Sequence, residues 1–308
     1  MDADLSIVVA GEALVDVTVG AGGELAGHLG GGPYNAARTI GRLGQPVSYL
    51  GRLSSDRFGT RLRGALAADG VRLDAVVETG DPTTLAVAEL DERGTATYRF
   101  YTQGTSAAGL TGPDALGALP DQVSAVCVGT LGLVLEPIAT TLEGVVERIS
   151  GSALIAVDPN CRPTIIDDPV SYRERLDRIV AFSDVVKVSD QDLEWLNPGV
   201  EATEAARLLL EQGAALVLLT RGGEGVTVLV EGAETHVPAP AVDVVDTIGA
   251  GDAFFGGFLA WWRREGLRAD DLGRSEAVLA ATRFACLVSA RTCERAGADP
   301  PRRRDVDF

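Results

Sequence analysis

The sequence predicts an α/β protein in which a mostly parallel β-sheet is covered by helices on both faces. After Pro113, short apolar runs alternate with stretches of helical spacing, as in repeated β-α units. The apolar runs are continuous, which indicates strands that are buried on both faces. The chain has 308 residues, of which 46% are hydrophobic, enough for one large domain or two small ones.

The first third of the chain also begins with alternating strands and helices, and the hydrophobic pattern then changes between residues 73 and 100. Helical spacing gives way there to short strand-like pieces, and Asp91-Glu92-Arg93-Gly94 is typical of a hairpin turn. Asn35 and Gly44 can begin and end the first helix as its caps. The predicted elements are strand 5–10, helix 36–43, strand 47–53, helix 56–69 and strand pieces 75–77, 84–90 and 95–101.

The remainder of the chain alternates strands and helices and ends in a tail, 302–308, that we expect to be frayed. Ligands of such sheets bind beyond the carboxyl ends of the strands. Arg162, Ser189, Asp192 and Thr220 all lie at or just past such ends. The predicted elements are strand 123–130, helix 137–149, strand 153–157, helix 171–182, strands 184–188 and 215–220, hairpin 225–230 with 235–237, and helices 251–264 and 275–290.

Composition excludes several classes of function. The net charge of −17 argues against a nucleic-acid surface, which needs a basic face. No apolar run is long enough to span a membrane, and the acidic start does not resemble a signal peptide. Four cysteines without a C-x-x-C pair and two scattered histidines indicate reduced thiols and no zinc site. We therefore expect a cytoplasmic protein that binds neither nucleic acid nor membranes.

The stretch Asp246-Thr-Ile-Gly-Ala-Gly-Asp252-Ala-Phe-Phe-Gly-Gly-Phe258 carries the strongest chemical signal. A turn of small residues, Gly249-Ala250-Gly251, leads into an apolar run that we predict to be a buried helix. Backbone N–H groups and the helix dipole make such a turn an anion hole. Asp252 beside it could take a proton from a hydroxyl group while phosphate charge is stabilised. Alternatively, Asp252 only caps the helix, which leaves the flanking glycines unexplained.

A second glycine-rich stretch, Gly30-Gly31-Gly32-Pro33-Tyr34-Asn35, precedes the first helix. Glycines before a helix allow a ligand to approach the backbone closely. The pattern G-x-x-x-x-G-K-[ST] does not occur in the chain, which excludes nucleotide binding of the Walker type.

Together these two stretches resemble the two signatures of the ribokinase, or PfkB-type, carbohydrate kinases, and the resemblance covers nearly the whole chain. It implies one ribokinase-like, three-layer α/β domain over residues 1–308. It also implies a small β-sheet lid built from about 12–32 and 74–106. The implied activity is transfer of the γ-phosphate of ATP to a sugar hydroxyl, with Asp252 as general base.

The resemblance assigns Asp16, Gly31, Gly32 and Asn35 to the sugar, although Asp16 alone could equally be a solvated turn carboxylate. Tyr98 and Phe100 share one side of a lid strand, and Arg99 and Tyr101 share the other. One side would face the substrate and the other could pack on a second subunit in a homodimer; the sequence leaves open which is which. Arg162 either binds a phosphate or an acidic sugar or forms a salt bridge between loops.

The nucleotide side of the resemblance involves the ends of two later strands. Thr220, Gly222 and Gly225 match the turn that contacts nucleotide. Ser189 and Asp192 stand where the family usually has Asn and Glu, and the acidic residue there organises Mg²⁺ through water. Asp is one methylene shorter than Glu and reaches less far toward a metal-bound water, and Ser189 could instead cap a helix. Lys187 is the one lysine among 27 basic residues and could mark a place that needs a compact ammonium.

Many family members also hold a monovalent cation such as K⁺ on backbone carbonyls. The matching positions here are Asp246, Ile248, Thr292, Arg295 and Gly297. Among acceptors, the motifs look most like the fructokinase branch, while ribokinase, 2-keto-3-deoxygluconate kinase and nucleoside kinase remain alternatives. A non-catalytic sugar or nucleotide sensor is a second class, against which the intact Asp252 and both glycine stretches argue.

Overall fold

A computed structural model describes residues 5–90 and 96–308, and within them the strands form two sheets. The central sheet has the order β13-β12-β11-β10-β9-β8-β1-β4-β5 and is parallel except for β12 and β13. The strands of this sheet are β1 Ser6–Ala10, β4 Val47–Ser54, β5 Val76–Thr79, β8 Val123–Gly129, β9 Leu154–Asp158, β10 Val185–Ser189, β11 Leu216–Thr220, β12 Val226–Val230 and β13 Ala233–Val237.

Helices cover both faces of the central sheet, as the sequence predicts. Alternate residues of β1 show why: Ile7 and Val9 join one apolar cluster with α1, α2, α8 and α9, whereas Val8 and Ala10 join another with α3 to α7. The helices are α1 Gly32–Arg42, α2 Arg57–Ala68, α3 Gly112–Ala118, α4 Ile138–Ile149, α5 Pro169–Val180, α6 Asp190–Leu196, α7 Ala202–Gln212, α8 Ala250–Arg264 and α9 Ser275–Cys293.

The second sheet, the lid sheet, has the order β3-β2-β6-β7 and lies in the two segments expected to form a lid. Its strands are β2 Leu14–Val19, β3 Leu25–Gly30, β6 Leu85–Leu90 and β7 Ala96–Tyr101. Asp16 pairs with His28 and Ala86, and Ala86 pairs with Phe100, so these residues share one face. The hairpin turn predicted at 91–94 lies outside the described residues.

Two local predictions are wrong. Asn35 does not cap the first helix, because α1 already begins at Gly32, with Gly31 as its N-cap and Pro33 in its first turn. Asn35 is therefore an interior residue of α1, and its side chain can contact another element. The tail is not frayed either: Phe308 is buried, stacks on Phe284 with ring centroids 4.5 Å apart, and accepts a hydrogen bond from Arg303.

None of the described helices combines the length and the apolar character that crossing a membrane would require. All four cysteines are free thiols, three of them buried. That agrees with the predicted absence of a disulfide framework.

Candidate active site

The turn before α8 has the geometry expected of an anion hole. Gly249 is left-handed, with φ of 75°, and a Cβ there would lie 2.6 Å from the Cβ of Ala298. The N–H of Ala250 donates to the carbonyl of Thr247 at 3.2 Å. The N–H groups of Gly249 and Gly251 have no protein acceptor within the described residues, so both are available to an anion.

Asp252 is the third residue of α8, and the N-cap is Gly249. Its Oδ2 accepts a hydrogen bond from Asn35 Nδ2 at 2.9 Å, across 217 residues of chain. Capping therefore does not explain this carboxylate. Burial raises the pKa of Asp252, whereas Asn35 and the charges of Lys187 and Arg162 act in the opposite direction. The result is a partly desolvated carboxylate that is positioned by an amide, as a general base requires.

Asp16 faces the same space from the lid sheet. Its Oδ2 lies 2.0 Å from where a Cβ on Gly30 would be, so only glycine leaves room for this rotamer. Burial and the negative charge of Asp252 raise the pKa of Asp16 to about 6, against the opposing charges of His28 and Arg162. Asp16, Asp252 and Arg162 thus act on one another electrostatically, although they lie far apart in the sequence.

Arg162 follows β9 in an exposed loop. Its guanidinium donates to the side chain of Asn160 at 2.6 Å and to the carbonyls of Asn160 and Cys161. Asn160 has the positive φ of 38°, which Asn tolerates better than most residues. No salt bridge between Arg162 and a carboxylate occurs among the described residues, so the loop–loop alternative has no support.

The aromatic residues of β7 divide as the alternation predicts. Phe100 lies on the face of Asp16 and packs with Leu14, Ala86 and Leu131. Tyr98 stacks on Phe100 with centroids 6.5 Å apart and is 56% exposed. Arg99 lies on the opposite face, where it forms a salt bridge with Glu89. The face that carries Tyr98 and Phe100 is therefore the one that looks toward Asp252.

The residues predicted to contact nucleotide include Ser189 and Thr220, which are paired at the carboxyl ends of β10 and β11. The Thr220 hydroxyl donates to the carbonyl of Val188 at 3.3 Å. Gly222 is left-handed and starts the exposed turn Gly222–Glu224, and Gly225 ends it with φ of 107°. A Cβ on Gly225 would lie 2.2 Å from the carbonyl oxygen of Val237. The glycine turn predicted after β11 is confirmed.

Lys187 forms a buried ion pair with Asp158, with 2.9 Å between Nζ and Oδ2. The ammonium lies 3.0 Å from where a Cβ on Gly251 would be, directly against the anion-hole turn. Burial would lower the pKa of Lys187, but Asp158, Asp192 and Asp252 raise it above its usual value. Burial raises the pKa of Asp158 to about 6, against the effect of Lys187. Oδ1 of Asp158 is buried without a hydrogen-bond partner.

Asp192 is engaged in a helix cap. Its Oδ2 accepts from the backbone and hydroxyl of Ser189, whose Oγ in turn accepts from the N–H of Asp192, which completes a capping box. Its Oδ1 accepts from the N–H of Cys161 at 2.7 Å. The alternative that Ser189 is an N-cap is confirmed. A role for Asp192 with Mg²⁺ stays a prediction, because both oxygens already accept hydrogen bonds.

The two segments expected to hold a monovalent cation lie side by side. The carboxylate of Asp246 joins them by accepting from the N–H of Ile248 at 3.0 Å and from the N–H of Gly297 at 2.8 Å. The carbonyl of Thr292 accepts from the N–H of Arg295 at 3.1 Å. The cation site itself stays a prediction.

Sequence reasoning missed three residues near the site: Glu12, Thr130 and Asp158. Glu12 follows β1, Thr130 follows β8, and Asp158 is the last residue of β9. All three therefore lie at the carboxyl ends of parallel strands, where ligands bind. That position was the available signal. Their burial was not visible in the sequence, because it depends on segments that are more than 20 residues away.

Comparisons with known proteins place the chain among carbohydrate kinases. The family model described as pfkB family carbohydrate kinase matches residues 3–304. A fructokinase of Rhizobium leguminosarum bv. trifolii is 37% identical over 266 residues, which cover 85% of this chain and 81% of the relative. A fructokinase of Klebsiella pneumoniae is 32% identical over 290 residues, or 93% of this chain and 91% of the relative.

Among solved structures, a fructokinase from Xylella fastidiosa with bound ATP is 28% identical, with a TM-score of 0.86 over 95% of this chain and 93% of that one. An aminoimidazole riboside kinase from Salmonella enterica shares the fold, with a TM-score of 0.84 at 24% identity. The chain belongs to the pfkB family of carbohydrate kinases.

Proposed function

We propose that this kinase transfers the γ-phosphate of ATP to a hydroxyl of fructose. The observation that carries the proposal is the partly buried hydrogen bond between Asn35 and Asp252, which holds a base beside the two N–H groups of the α8 turn that have no acceptor among the described residues. The fructokinase names of two relatives above 30% identity support fructose as the acceptor. We also propose that residues 1–308 act as a single domain and that the lid sheet covers the sugar.

In this mechanism the sugar lies between the central sheet and the lid sheet. Asp16, Asn35 and the backbone of Gly31 and Gly32 bind its hydroxyl groups, and Phe100 and Tyr98 contact its apolar side. Neutral hydroxyls suit such a set of carboxylate, amide and backbone groups. Arg162 balances the two carboxylates, Asp16 and Asp252, and is placed to meet a phosphate oxygen.

The transfer step needs a base and a cradle for negative charge. Asp252 accepts the proton of the attacking hydroxyl as the new O–P bond forms. The bond between the γ-phosphorus and the β–γ bridging oxygen breaks, ADP leaves with the electron pair, and the proton stays on the Asp252 carboxylate until the products leave. The N–H groups of Gly249 and Gly251 hold the charge on the transferred phosphoryl group, whereas the N–H of Ala250, which the sequence also predicted for this role, is occupied by the carbonyl of Thr247. Lys187 adds positive charge beneath that turn, while Ser189, Thr220, Gly222 and Gly225 approach the nucleotide.

Mg²⁺ would neutralise the phosphate oxygens of ATP during this step. Asp192 is the proposed residue for a water-mediated site, because within the described part of the chain its Oδ1 accepts only one hydrogen bond, from Cys161, and keeps a lone pair for a metal-bound water. Oδ1 of Asp158 is a second carboxylate oxygen nearby that lacks a donor among those residues. A monovalent cation such as K⁺ would be held by the carbonyls of Asp246, Ile248, Thr292, Arg295 and Gly297, which stabilises the turn that leads to Gly249.

The outer face of the lid sheet is the proposed contact for a homodimer. It presents Leu25, 73% exposed, and Tyr101, 55% exposed, beside the valines of β2, with the Arg99–Glu89 pair among them. An apolar face with paired charges can match a second copy of itself. Sedimentation of the wild type and of Tyr101→Glu decides this: we expect a dimer that the variant weakens.

ADP release tests the proposed function. With ATP, Mg²⁺ and K⁺, the purified chain is offered fructose, ribose, 2-keto-3-deoxygluconate, adenosine and inosine. We expect fructose to give the highest kcat/KM. Preference for the acidic sugar would indicate that Arg162 binds the carboxylate of the acceptor. Preference for a nucleoside would indicate that Phe100 and Tyr98 stack on its nucleobase. Silence with all five acceptors, while ATP binds, would overturn the proposal.

A further inference from the structure

Glu12, the second residue after β1, joins three separate segments through its carboxylate. It is 2% exposed. Oε1 accepts from the N–H of Gly32 at 3.2 Å and from the hydroxyl of Thr130, and Oε2 accepts from the N–H of Gly132 at 3.0 Å. The end of β1, the start of α1 and the turn after β8 therefore meet at one side chain.

The carboxylate lacks a counterion. Within residues 5–90 and 96–308, no Lys, Arg or His forms a salt bridge with Glu12. Burial raises the pKa of Glu12 to about 7, and only the hydrogen bonds of Thr130 and of backbone groups oppose that shift. A buried charge is costly unless it is compensated, so an apolar residue would be the simpler way to fill this space. A carboxylate suits this place because both of its oxygens accept hydrogen bonds, and together they satisfy the N–H groups of Gly32 and Gly132 and the hydroxyl of Thr130.

Thr130 is the partner that reaches the reaction site. Its φ is 53°, a strained conformation for a β-branched residue, and such strain persists only where the surroundings enforce it. The point where a Cβ on Gly32 would stand is 2.4 Å from Cγ2 of Thr130 and 3.3 Å from Oδ1 of Asp252. Thr130 and Asp252 therefore flank Gly32, and a displacement of Thr130 changes the space between the sugar turn and the base.

From these contacts we propose that Glu12 is a positioning residue for the sugar site. Its carboxylate holds the Gly31–Gly32 turn and Thr130 in the arrangement in which Asn35 and Asp252 meet the acceptor hydroxyl together. Glu12 does not touch the sugar itself; it acts through Gly32 and Thr130. The inference rests on the proposed function and extends it to a residue beneath the sugar.

The arrangement makes sugar binding depend on the protonation of Glu12. A proton on Oε2 would point at the N–H of Gly132, and a proton on Oε1 would point at the N–H of Gly32 or force the Thr130 hydroxyl to rotate. In each case one donor would lose its acceptor. KM for the sugar therefore rises as the pH falls through about 7. The titratable side chain that acts on Glu12 electrostatically is Tyr49 of β4, whose hydroxyl donates to the carbonyl of Gly11, and Asp252 of α8 lies beside Gly32, whose N–H donates to Glu12.

The test compares Glu12→Gln and Thr130→Val with the control Asp184→Asn. Like Glu12, Asp184 is a carboxylate that accepts a backbone N–H, from Ile155 at 2.7 Å. It is only half-buried, however, and lies just before β10, at the amino-terminal end of that strand. For Glu12→Gln we expect KM for fructose to rise at least about tenfold, with KM for ATP nearly unchanged, because one buried N–H loses its acceptor. The KM step near pH 7 should vanish in Glu12→Gln and move upward in Thr130→Val.

Amide hydrogen exchange provides a readout that needs no substrate. We expect faster exchange in segments 30–35 and 129–133 of Glu12→Gln than in the wild type or in Asp184→Asn. Normal exchange there, or a KM and a pH profile that match Asp184→Asn, would overturn the inference even if the wild type is an active fructokinase. A wild type that phosphorylates no sugar would overturn the proposed function instead, and the exchange measurement would still decide the positioning role. If Glu12→Gln fails to fold, Thr130→Val carries the same comparison.

Discussion

The carboxyl ends of the central strands and the inner face of the lid sheet border the same space. The polar groups of these two regions are held in different ways. At the edge of the central sheet, Glu12, Asp158 and Lys187 are each at most 5% exposed and are bonded to segments far away in the chain. On the lid sheet, Tyr98 is 56% exposed and His28 is also exposed. We therefore propose that the buried groups at the strand ends perform the chemistry and that the more exposed lid sheet selects the acceptor.

The two regions also differ in electrostatics. The carboxyl ends of the central strands carry a buried cation, Lys187, whose pKa is raised by Asp158, Asp192 and Asp252, and Lys187 in turn opposes the rise in the pKa of Asp158 and of Asp252. The lid sheet contributes Asp16, whose neighbours His28 and Arg162 are exposed. Substitutions at the edge should therefore lower turnover or stability strongly, whereas substitutions on the lid should mainly change KM for the sugar.

The largest expected effect is the loss of turnover in Asp252→Asn. The amide at position 252 keeps the shape of the side chain, and after a rotation its oxygen can still accept a hydrogen bond from Asn35. It cannot accept the proton of the sugar hydroxyl. General bases contribute about 10²- to 10⁴-fold to rate, so kcat should fall by that factor. Coupled ADP release measures it, with Asp184→Asn as the control, and a near-normal kcat would remove Asp252 from the mechanism.

Lys187→Met should lower kcat about 100-fold, because one charge that supports the anion hole is lost. It also leaves Asp158 buried without its partner, which costs about 3–5 kcal/mol of unfolding free energy. Without Lys187 the folded-state pKa of Asp158, already raised to about 6, rises further. The loss of stability should therefore be large at pH 8 and smaller at pH 5.5, where Asp158 is protonated in the folded state.

Urea unfolding at these two pH values checks the stability effect. The double variant Lys187→Met with Asp158→Asn should recover stability at pH 8 but not turnover, since the charge beneath Gly251 is still absent. Recovery of turnover in the double variant would contradict the role given to Lys187.

A smaller effect is expected at Asp16, on the lid sheet. Asp16→Asn should raise KM for fructose about tenfold to a hundredfold, as for the loss of a hydrogen bond to a charged group. Because the folded-state pKa of Asp16 is raised to about 6, ionised Asp16 is lost below that pH, and the wild-type KM should rise there. The variant should lack this step but keep the one assigned to Glu12. An unchanged profile near pH 6 would exclude Asp16 from sugar binding.

The smallest effect is expected at the exposed aromatic of the lid. Tyr98→Ala removes a stacking partner of Phe100 and should raise KM for fructose only a few-fold, since such contacts contribute about 0.5–1.5 kcal/mol. Neither kcat nor the unfolding midpoint should change. A large fall in kcat would show that the lid takes part in the chemistry and would remove the division between the two regions.

Local patterns were sufficient for the parts of the fold that depend on nearby residues. The glycine turn at Gly249, the helix after it, and the positions of Ser189 and Thr220 at the ends of strands all follow from short-range spacing, and the structure confirms them. Asn35 was misplaced because Asn is a common cap, and its contact with Asp252 spans 217 residues of chain.

Other features depend on contacts that no local pattern contains. The burial of Glu12 and Asp158 results from packing of distant segments. The tail was expected to fray because it is short, polar and terminal, yet the ring of Phe308 packs against Phe284 and Trp261. One aromatic residue in a basic tail was too weak a signal to predict that docking.

The most direct test of the account is the affinity of Asp252→Asn for its substrates, measured by calorimetry for fructose and for ATP with Mg²⁺. If Asp252 acts as a base on a site that is assembled by other residues, both Kd values should stay close to those of the wild type while turnover is lost. If fructose binding weakens as much as turnover falls, Asp252 assembles the sugar site rather than performing the proton transfer, and the central claim is contradicted.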